Sequence, residues 1–354
     1  MPLHVPHTPS RQLYGSVVAV FESGLEDGLV FLDRKVVAAG LNDCLERHDE
    51  SAGCVKARIL THNYAMRRLL IIGCGNVALR AIPLLKKGYR VFALVRDPAK
   101  CAGLRALGVT PLLGDLDDRA SLSRIAGLAD AVLHFAPPPN TGFNDTRTRN
   151  LLSALSRGKP PERLVYISTS GVYGDCGGAW VSETHPLGAT SPRSQRRVDA
   201  EMQIRDWARR NRVNAGILRV PGIYAEDRLP LTRLQQGTPC IIASEDGYTN
   251  HIHADDLARI SVAALQRGKT CRVYHASDDS HLKMGAYFDG VADAFDLPRV
   301  PRISRAEAQH VLPEMLLSFM NESRRLTNQR MKRELKVKLN YPAVADLLAT
   351  INRP

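Results

Sequence analysis

The stretch Gly73-Cys74-Gly75-Asn76-Val77-Ala78 constrains this chain more than any other. It follows Leu69-Leu70-Ile71-Ile72, an apolar run of strand length. It leads into Leu79-Arg80-Ala81-Ile82-Pro83-Leu84-Leu85, whose apolar residues recur at helical spacing. Strand, glycine turn and helix are the context in which G-x-G-x-x-A binds a dinucleotide. The first glycine permits the tight turn. The second lets a pyrophosphate approach the backbone, and Ala78 lets helix pack close on strand. The pyrophosphate then meets free N–H groups and the positive end of the helix dipole.

From Met66 onward, strand-like and helix-like segments alternate, which implies a parallel sheet. Arg90–Val95, Val109–Leu113, Ala131–Ala136, Arg163–Ser168 and Asn214–Arg219 read as further strands. Arg147–Leu155 and Val198–Asn211 read as helices, and Asp97-Pro98 as a helix N-cap followed by proline at the first helical position. The expected fold is a Rossmann α/β doubly wound parallel sheet over residues 66–224. A smaller C-terminal α/β substrate lobe over 225–354 is expected to return in part to that sheet. Residues 1–65 differ in character and are expected to be an N-terminal extension, poorly ordered or upstream of a native start at Met66. The alternative is a small appendage such as a hairpin of the apolar patches Val17–Phe21 and Leu29–Leu32.

Charge separates the same two regions. Residues 1–65 carry 6 Lys and Arg against 8 Asp and Glu, a net of −2. Residues 66–354 carry 42 against 28, a net of +14. A basic body suits a phosphorylated cofactor and an anionic substrate. Nucleic acid is not expected, because aromatic residues are only 6% and offer no stacking platform. No apolar run approaches the roughly 20 residues that span a bilayer. Seven scattered cysteines without a C-x-x-C argue for reduced thiols in a cytoplasmic protein, without a disulfide frame or a metal site.

The choice of cofactor turns on the end of the second strand, where an acidic residue would hold a ribose 2′-hydroxyl. Val95 stands there, followed by Arg96. Arg96 either pairs with a 2′-phosphate or is a solvent-exposed neighbour of Asp97, so NADP(H) is favoured over NAD(H). Asp115 either accepts a hydrogen bond from the adenine amino group or serves the turn after Gly114. Pro137-Pro138-Pro139 would fix the loop over the cofactor. The residues expected to meet the dinucleotide are Gly73, Cys74, Gly75, Asn76, Val77, Arg96, Asp115, Leu116, Ala136 and Pro137.

At Ser168-Thr169-Ser170-Gly171-Val172-Tyr173-Gly174 the chain resembles the extended short-chain dehydrogenases, the nucleotide-sugar epimerases and dehydratases. Asp145–Leu152, Leu218–Tyr224 and Asn250-His251-Ile252-His253-Ala254-Asp255-Asp256-Leu257-Ala258 resemble the same family. The resemblance implies an NAD(P)-dependent oxidoreductase or epimerase/dehydratase acting on a sugar-like, anionic small molecule, with pairing of two copies through the helices 147–155 and 198–211. It also implies that Thr169 polarises the substrate oxygen, whereas its plain alternative is to cap the fifth strand. In that family a Tyr-x-x-x-Lys pair moves the proton. Here Arg193 and Arg197 occupy those positions, and arginine cannot be a useful general base. With Glu322-Ser323-Arg324-Arg325-Leu326-Thr327-Asn328, this is similar to the atypical YeeZ-like subgroup. Tyr173 and His134 are then the candidate replacements, against a pocket-shaping ring and a structural histidine. Arg193, Arg196 and Arg197 read as a solvated basic helix face, with contact to a diphosphate or carboxylate as the alternative. A non-catalytic NADP(H)-binding sensor or interaction protein is the alternative function.

Overall fold

The computed structural model describes residues 66–351 and three short strands before them: β1 (Val18–Val20), β2 (Leu29–Phe31) and β3 (Arg58–Leu60). The chain divides into two compact units, Met1–Met66 and Arg67–Pro354. In the first, β1 pairs antiparallel with both β2 and β3. The expectation of a poorly ordered or upstream segment otherwise lies outside the described residues.

In the second unit, seven strands form one parallel sheet in the order β14-β10-β8-β7-β4-β5-β6. They are β4 (Arg67–Ile72), β5 (Tyr89–Val95), β6 (Thr110–Leu113), β7 (Ala131–His134), β8 (Arg163–Thr169), β10 (Asn214–Val220) and β14 (Arg272–His275). The strands read as continuous apolar runs because both faces of the sheet are covered. Successive side chains point to opposite faces. Leu69, Ile71, Val91, Ala93, Leu133, Val165 and Leu218 therefore enter one core, closed by α1 (Asn76–Leu85), α6 (Ala254–Arg267) and α10 (Gln329–Leu335). Leu70, Ile72, Phe92, Leu94, Val132, Leu164 and Ile217 enter the other, closed by the 3-10 turn Ala120–Ile125, α3 (Thr146–Leu155) and α4 (Pro192–Asn211). Truncating a fully buried leucine or isoleucine among them to alanine costs about 2–5 kcal/mol. This is the doubly wound architecture, and it gives the sheet a switch point between β4 and β7.

The residues after the sixth strand of the sheet in sequence build a further core of their own. Tyr224, Leu234, Tyr287, Phe288, Val291 and Leu347 pack together from β11 (Gly222–Tyr224), α5 (Leu231–Gln235), α7 (Met284–Ala294) and α11 (Val344–Ile351). The remaining elements are β9 (Trp180–Val181), β12 (Cys240–Ile241), β13 (His251–His253), β15 (Arg302–Ile303), β16 (Arg325–Leu326), α8 (Arg305–Val311) and α9 (Glu314–Met320).

Two helix starts differ from expectation. Helix α2 (Lys100–Ala106) begins after the expected Asp97 cap. Asp97 instead closes a local turn, accepting from the Ala99 amide at 2.9 Å, a bond that competes with helix entry. Helix α4 begins at Pro192, not Val198. Ser191 accepts from the Ser194 amide and Pro192 takes the first helical position, where a missing N–H costs nothing.

Candidate functional site

The switch point opens into a cleft of about 500 Å³. It is lined by Gly73, Cys74, Gly75, Asn76, Val77, Arg96, Asp115, Leu116, Ala136 and Pro137, so all ten residues expected at the dinucleotide share one cavity. The glycines differ in purpose. Gly73 has φ +86°, and a Cβ there would lie 2.5 Å from the Ala136 backbone nitrogen. The close approach arises because the Phe135 and Ala136 amides both donate to Ile72 O, at 2.7 and 2.9 Å. A Cβ on Gly75 would meet no protein atom within 4 Å, because that position faces the open cleft. Gly75 caps α1 without a side-chain bond, and no acidic residue stands in the first turn. A helix end left this way, facing a cavity, fits a pyrophosphate. When bound, the dinucleotide supplies hydride transfer.

The rim is largely cationic: Arg96, Lys100, Arg147, Arg197 and Arg228 line it with Asp97 and Asp115. Arg147 grips Asp117 through Nη2 at 2.6 Å and reaches the carbonyls of Pro137 and Pro138 at 3.3 Å, which anchors the proline loop. That hydrogen-bonded pairing holds the Asp117 carboxyl below the usual carboxylate range. Arg96 is 72% exposed and lies 3.9 Å from Asp115 Oδ2. Asp115 Oδ1 accepts from the Asp117 amide at 3.0 Å, so the turn role is filled. Burial pushes the Cys74 thiol up to about 11, which makes it inert packing at neutral pH.

A second cavity of about 1520 Å³ adjoins the first, and Pro137, Arg197 and Ile223 line both. Strand β8 runs from one to the other, with Ile167 in the cofactor cleft and Thr169 in the larger cavity. Thr169 Oγ1 accepts from the Gly171 amide at 3.2 Å. The bond occupies a lone pair and leaves the hydroxyl proton to donate.

Tyr173 also lines the larger cavity, but its proton is directed elsewhere. His275 Nδ1 lies 2.8 Å from Thr327 O, which can only accept, so Nδ1 carries the imidazole proton. Burial pushes His275 down to about 3, so the ring is neutral and Nε2 accepts. The Tyr173 hydroxyl, 2.5 Å away, is the donor, and its oxygen accepts from Arg219 Nη1 at 2.7 Å. Arg219 is itself bound by Glu201, at 3.0 and 2.7 Å, in a pair that is almost wholly buried. Burial pushes Tyr173 up to about 12 against the pull of Arg219. His134 lines neither cavity. Its Nε2 bonds Thr148 Oγ1 at 3.0 Å, Thr148 donates to Asp145, and burial pushes the ring down to about 3. It is a structural histidine.

Arg193, Arg196 and Arg197, in the first turns of α4, are not a solvated face. Arg196 is 7% exposed and donates to Gly142 O at 2.6 Å. Arg197 donates to Tyr166 Oη at 2.9 Å and to Ile167 O at 2.7 Å. Arg193 lies over the Phe319 ring at 3.7 Å. All three line the larger cavity, together with Arg233 and Arg324. They turn inward because α4 crosses the carboxyl end of β8, a placement that charge periodicity does not reveal. Sequence reasoning gave Glu201, Arg219 and Glu322 no role of their own: Arg219 and Glu322 entered only as members of the segments Leu218–Tyr224 and Glu322–Asn328, and what each side chain faces is set by the fold.

Among the described residues, no helix is long and apolar enough to cross a membrane. Residues 80–276 match the NAD dependent epimerase/dehydratase family. The dTDP-glucose 4,6-dehydratase of Mycobacterium tuberculosis is 30% identical over 188 residues, 47% of this chain and 56% of that protein. The chain thus spans about half the length of that relative. A conserved protein of unknown function from Silicibacter pomeroyi DSS shares the fold with a TM-score of 0.66 at 28% identity, over 81% of this chain and 100% of that one. A dTDP-glucose 4,6-dehydratase from Streptomyces venezuelae, solved with NAD bound, gives 0.64 at 22% identity, over 80% and 95%; at that identity the likeness is one of fold. With more than half of its length matched and a glycine-turn cleft at the sheet's switch point, the chain belongs to the NAD-dependent epimerase/dehydratase family of extended short-chain dehydrogenases.

Proposed function

We propose that the protein is an NAD(P)-dependent oxidoreductase or epimerase/dehydratase acting on a nucleotide sugar. The observation that carries this reading is the adjoining pair of cavities, joined along β8 and lined on the larger side by five arginines. A planar guanidinium binds phosphate oxygens through paired donors, and several such groups around one cavity suit a diphosphate. Thr169 donates to the sugar oxygen at the reacting carbon. Tyr173 shapes the cavity wall. Arg96 favours NADP(H), with Asp115 as the counterweight that keeps NAD(H) acceptable. Pairing of two copies through the outer faces of α3 and α4, where Met202 is exposed, belongs to the same proposal, as does a cytoplasmic location, which the free thiols of Cys74, Cys101, Cys176, Cys240 and Cys271 support.

Calorimetry with dTDP-glucose and with UDP-glucuronic acid on cofactor-loaded protein, followed by a turnover assay, tests the proposal. Binding with turnover is expected. Binding of the dinucleotide with no affinity for either sugar would favour a non-catalytic sensor. That second reading has an observation behind it: arginines occupy positions 193 and 197, and the Tyr173 proton is committed to His275.

A further inference from the structure

One carboxylate stands beside Thr169, contributed from almost the other end of the chain. A Cβ built on Gly171 would lie 3.5 Å from Thr169 Oγ1 and 3.6 Å from Glu322 Oε2. The hydroxyl and the carboxylate therefore flank the same small space, which exists because residue 171 has no side chain. Both residues line the substrate cavity. Glu322 is not a loose surface group, since its side chain is only 9% exposed.

The backbone that carries it is pinned on two sides. The Cys176 and Gly178 amides donate to Ser323 O at 3.0 Å, and the Ser323 amide donates to Asp175 Oδ1 at 2.8 Å. Asn250 accepts from the Leu326 amide and donates to Arg324 O, each at 2.9 Å. Arg324 then fixes the carboxylate, donating to Glu322 Oε2 at 2.9 Å while its Nη1 holds Gly174 O at 2.6 Å. A side chain oriented to this degree is what general acid–base catalysis requires.

We infer that Glu322 is the catalytic carboxylate that moves the substrate proton in place of the missing Tyr–Lys pair. The inference rests on the functional reading above. Thr169 holds the sugar oxygen. The O–H bond of that hydroxyl breaks, and the O–H bond of a Glu322 carboxylic acid forms. The electron pair left on oxygen closes the carbonyl as the C–H bond at the same carbon breaks, and its hydride would pass to the oxidised nicotinamide dinucleotide, which balances the oxidation.

The test compares wild type, Glu322→Gln and Glu322→Asp, using dTDP-glucose and UDP-glucuronic acid as probes. For Glu322→Gln, turnover should fall by about 10²–10⁴-fold. Calorimetric affinities for the sugar and the dinucleotide should stay within roughly threefold, and the melting temperature should hold. Glu322→Asp keeps a carboxylate one methylene back and should recover part of the lost rate. Turnover retained in Glu322→Gln would overturn the inference and make the Glu322–Arg324 pair structural, with the functional reading intact. Parallel loss of binding and rate would also overturn it, as would a wild type that binds the sugar without converting it. A wild type that binds neither sugar would remove the functional reading itself, and this inference with it.

Discussion

The two cavities are built in opposite ways. The cofactor cleft grows from one local unit, β4, the Gly73–Ala78 turn and α1, with the ends of β5, β6 and β7 supplying its walls. The larger cavity draws on segments from Pro137 to Arg324, and the side chains around it meet from separate segments: Tyr173 with His275, Arg219 with Glu201, and Thr169 and Glu322 on either side of the space at Gly171. A local unit repeats its constraints wherever it occurs and can be read from spacing. A cavity assembled from distant segments has no spacing to read.

The largest expected effect is on the local side. Gly73→Val adds a Cβ 2.5 Å from a backbone nitrogen in a conformation that L-residues rarely adopt. The left-handed strain alone is about 1–2 kcal/mol, and the obstructing atoms, Ala136 N and Cα, are backbone that cannot rotate aside. Dinucleotide affinity should fall by more than about a hundredfold in calorimetry. Near-native affinity would show that the turn is less rigidly determined than its context implies.

A pH titration probes the other side. Burial pushes His134, His251 and His275 down to about 3, 4 and 3, whereas an unfolded histidine titrates near pH 6.5. Between those values the unfolded chain binds protons that the folded protein refuses. Their stabilisation is complete above about pH 6.5 and is lost as pH falls. Asp278, pushed up to about 8 by burial, acts in the opposite sense: folded, it keeps a proton that the unfolded chain releases above about pH 4. Among the groups with large shifts the three histidines outnumber this one carboxyl, so on balance the fold loses stability as pH falls through about 6. The melting temperature should drop steadily from pH 7 to pH 5. Since His251 and His275 support the substrate cavity, His275→Gln should flatten the profile. A flat wild-type profile would mean that these rings are protonated in the fold.

Thr169 separates capping from chemistry. Thr169→Val loses the bond from the Gly171 amide, about 1 kcal/mol of stability, and the donor to the substrate oxygen, about 1–3 kcal/mol of transition-state binding or roughly 10–10²-fold in kcat/KM. Thr169→Ser should retain both. A valine variant that loses stability but keeps its rate would leave Thr169 as a cap only.

The smallest effect sharpens the cofactor side. Arg96→Ala should lower NADPH affinity by about tenfold and leave NADH affinity unchanged, as loss of one charge-assisted phosphate contact implies. Equal affinities of the wild type for the two cofactors would remove the preference for NADP(H).

The sheet was legible because parallel strands covered on both faces are apolar throughout, and the helix that follows Gly75 shows its own period. The ten residues of the smaller cleft could be named because they follow the carboxyl ends of β4, β5, β6 and β7, with Asn76 and Val77 opening α1. Helix starts were less legible: Asp97 could cap a helix or close a turn, and only the backbone path around Pro98 decided. Arg193, Arg196 and Arg197 looked solvated, because a helix crossing a strand end turns inward charges that a surface helix would turn out.

By itself the sequence determined the strand–turn–helix unit, the alternation that builds a parallel sheet, and the absence of a Tyr–Lys pair at positions 193 and 197. These follow from chemistry within a few residues of chain. The tertiary structure decided which proton donors are available. It tied the Tyr173 hydroxyl to His275, buried His134 against Thr148, and carried Glu322 across some 150 residues of chain to stand over Gly171. Hydrogen-bond direction and burial depend on groups that meet only when the chain has folded, so no local pattern encodes them.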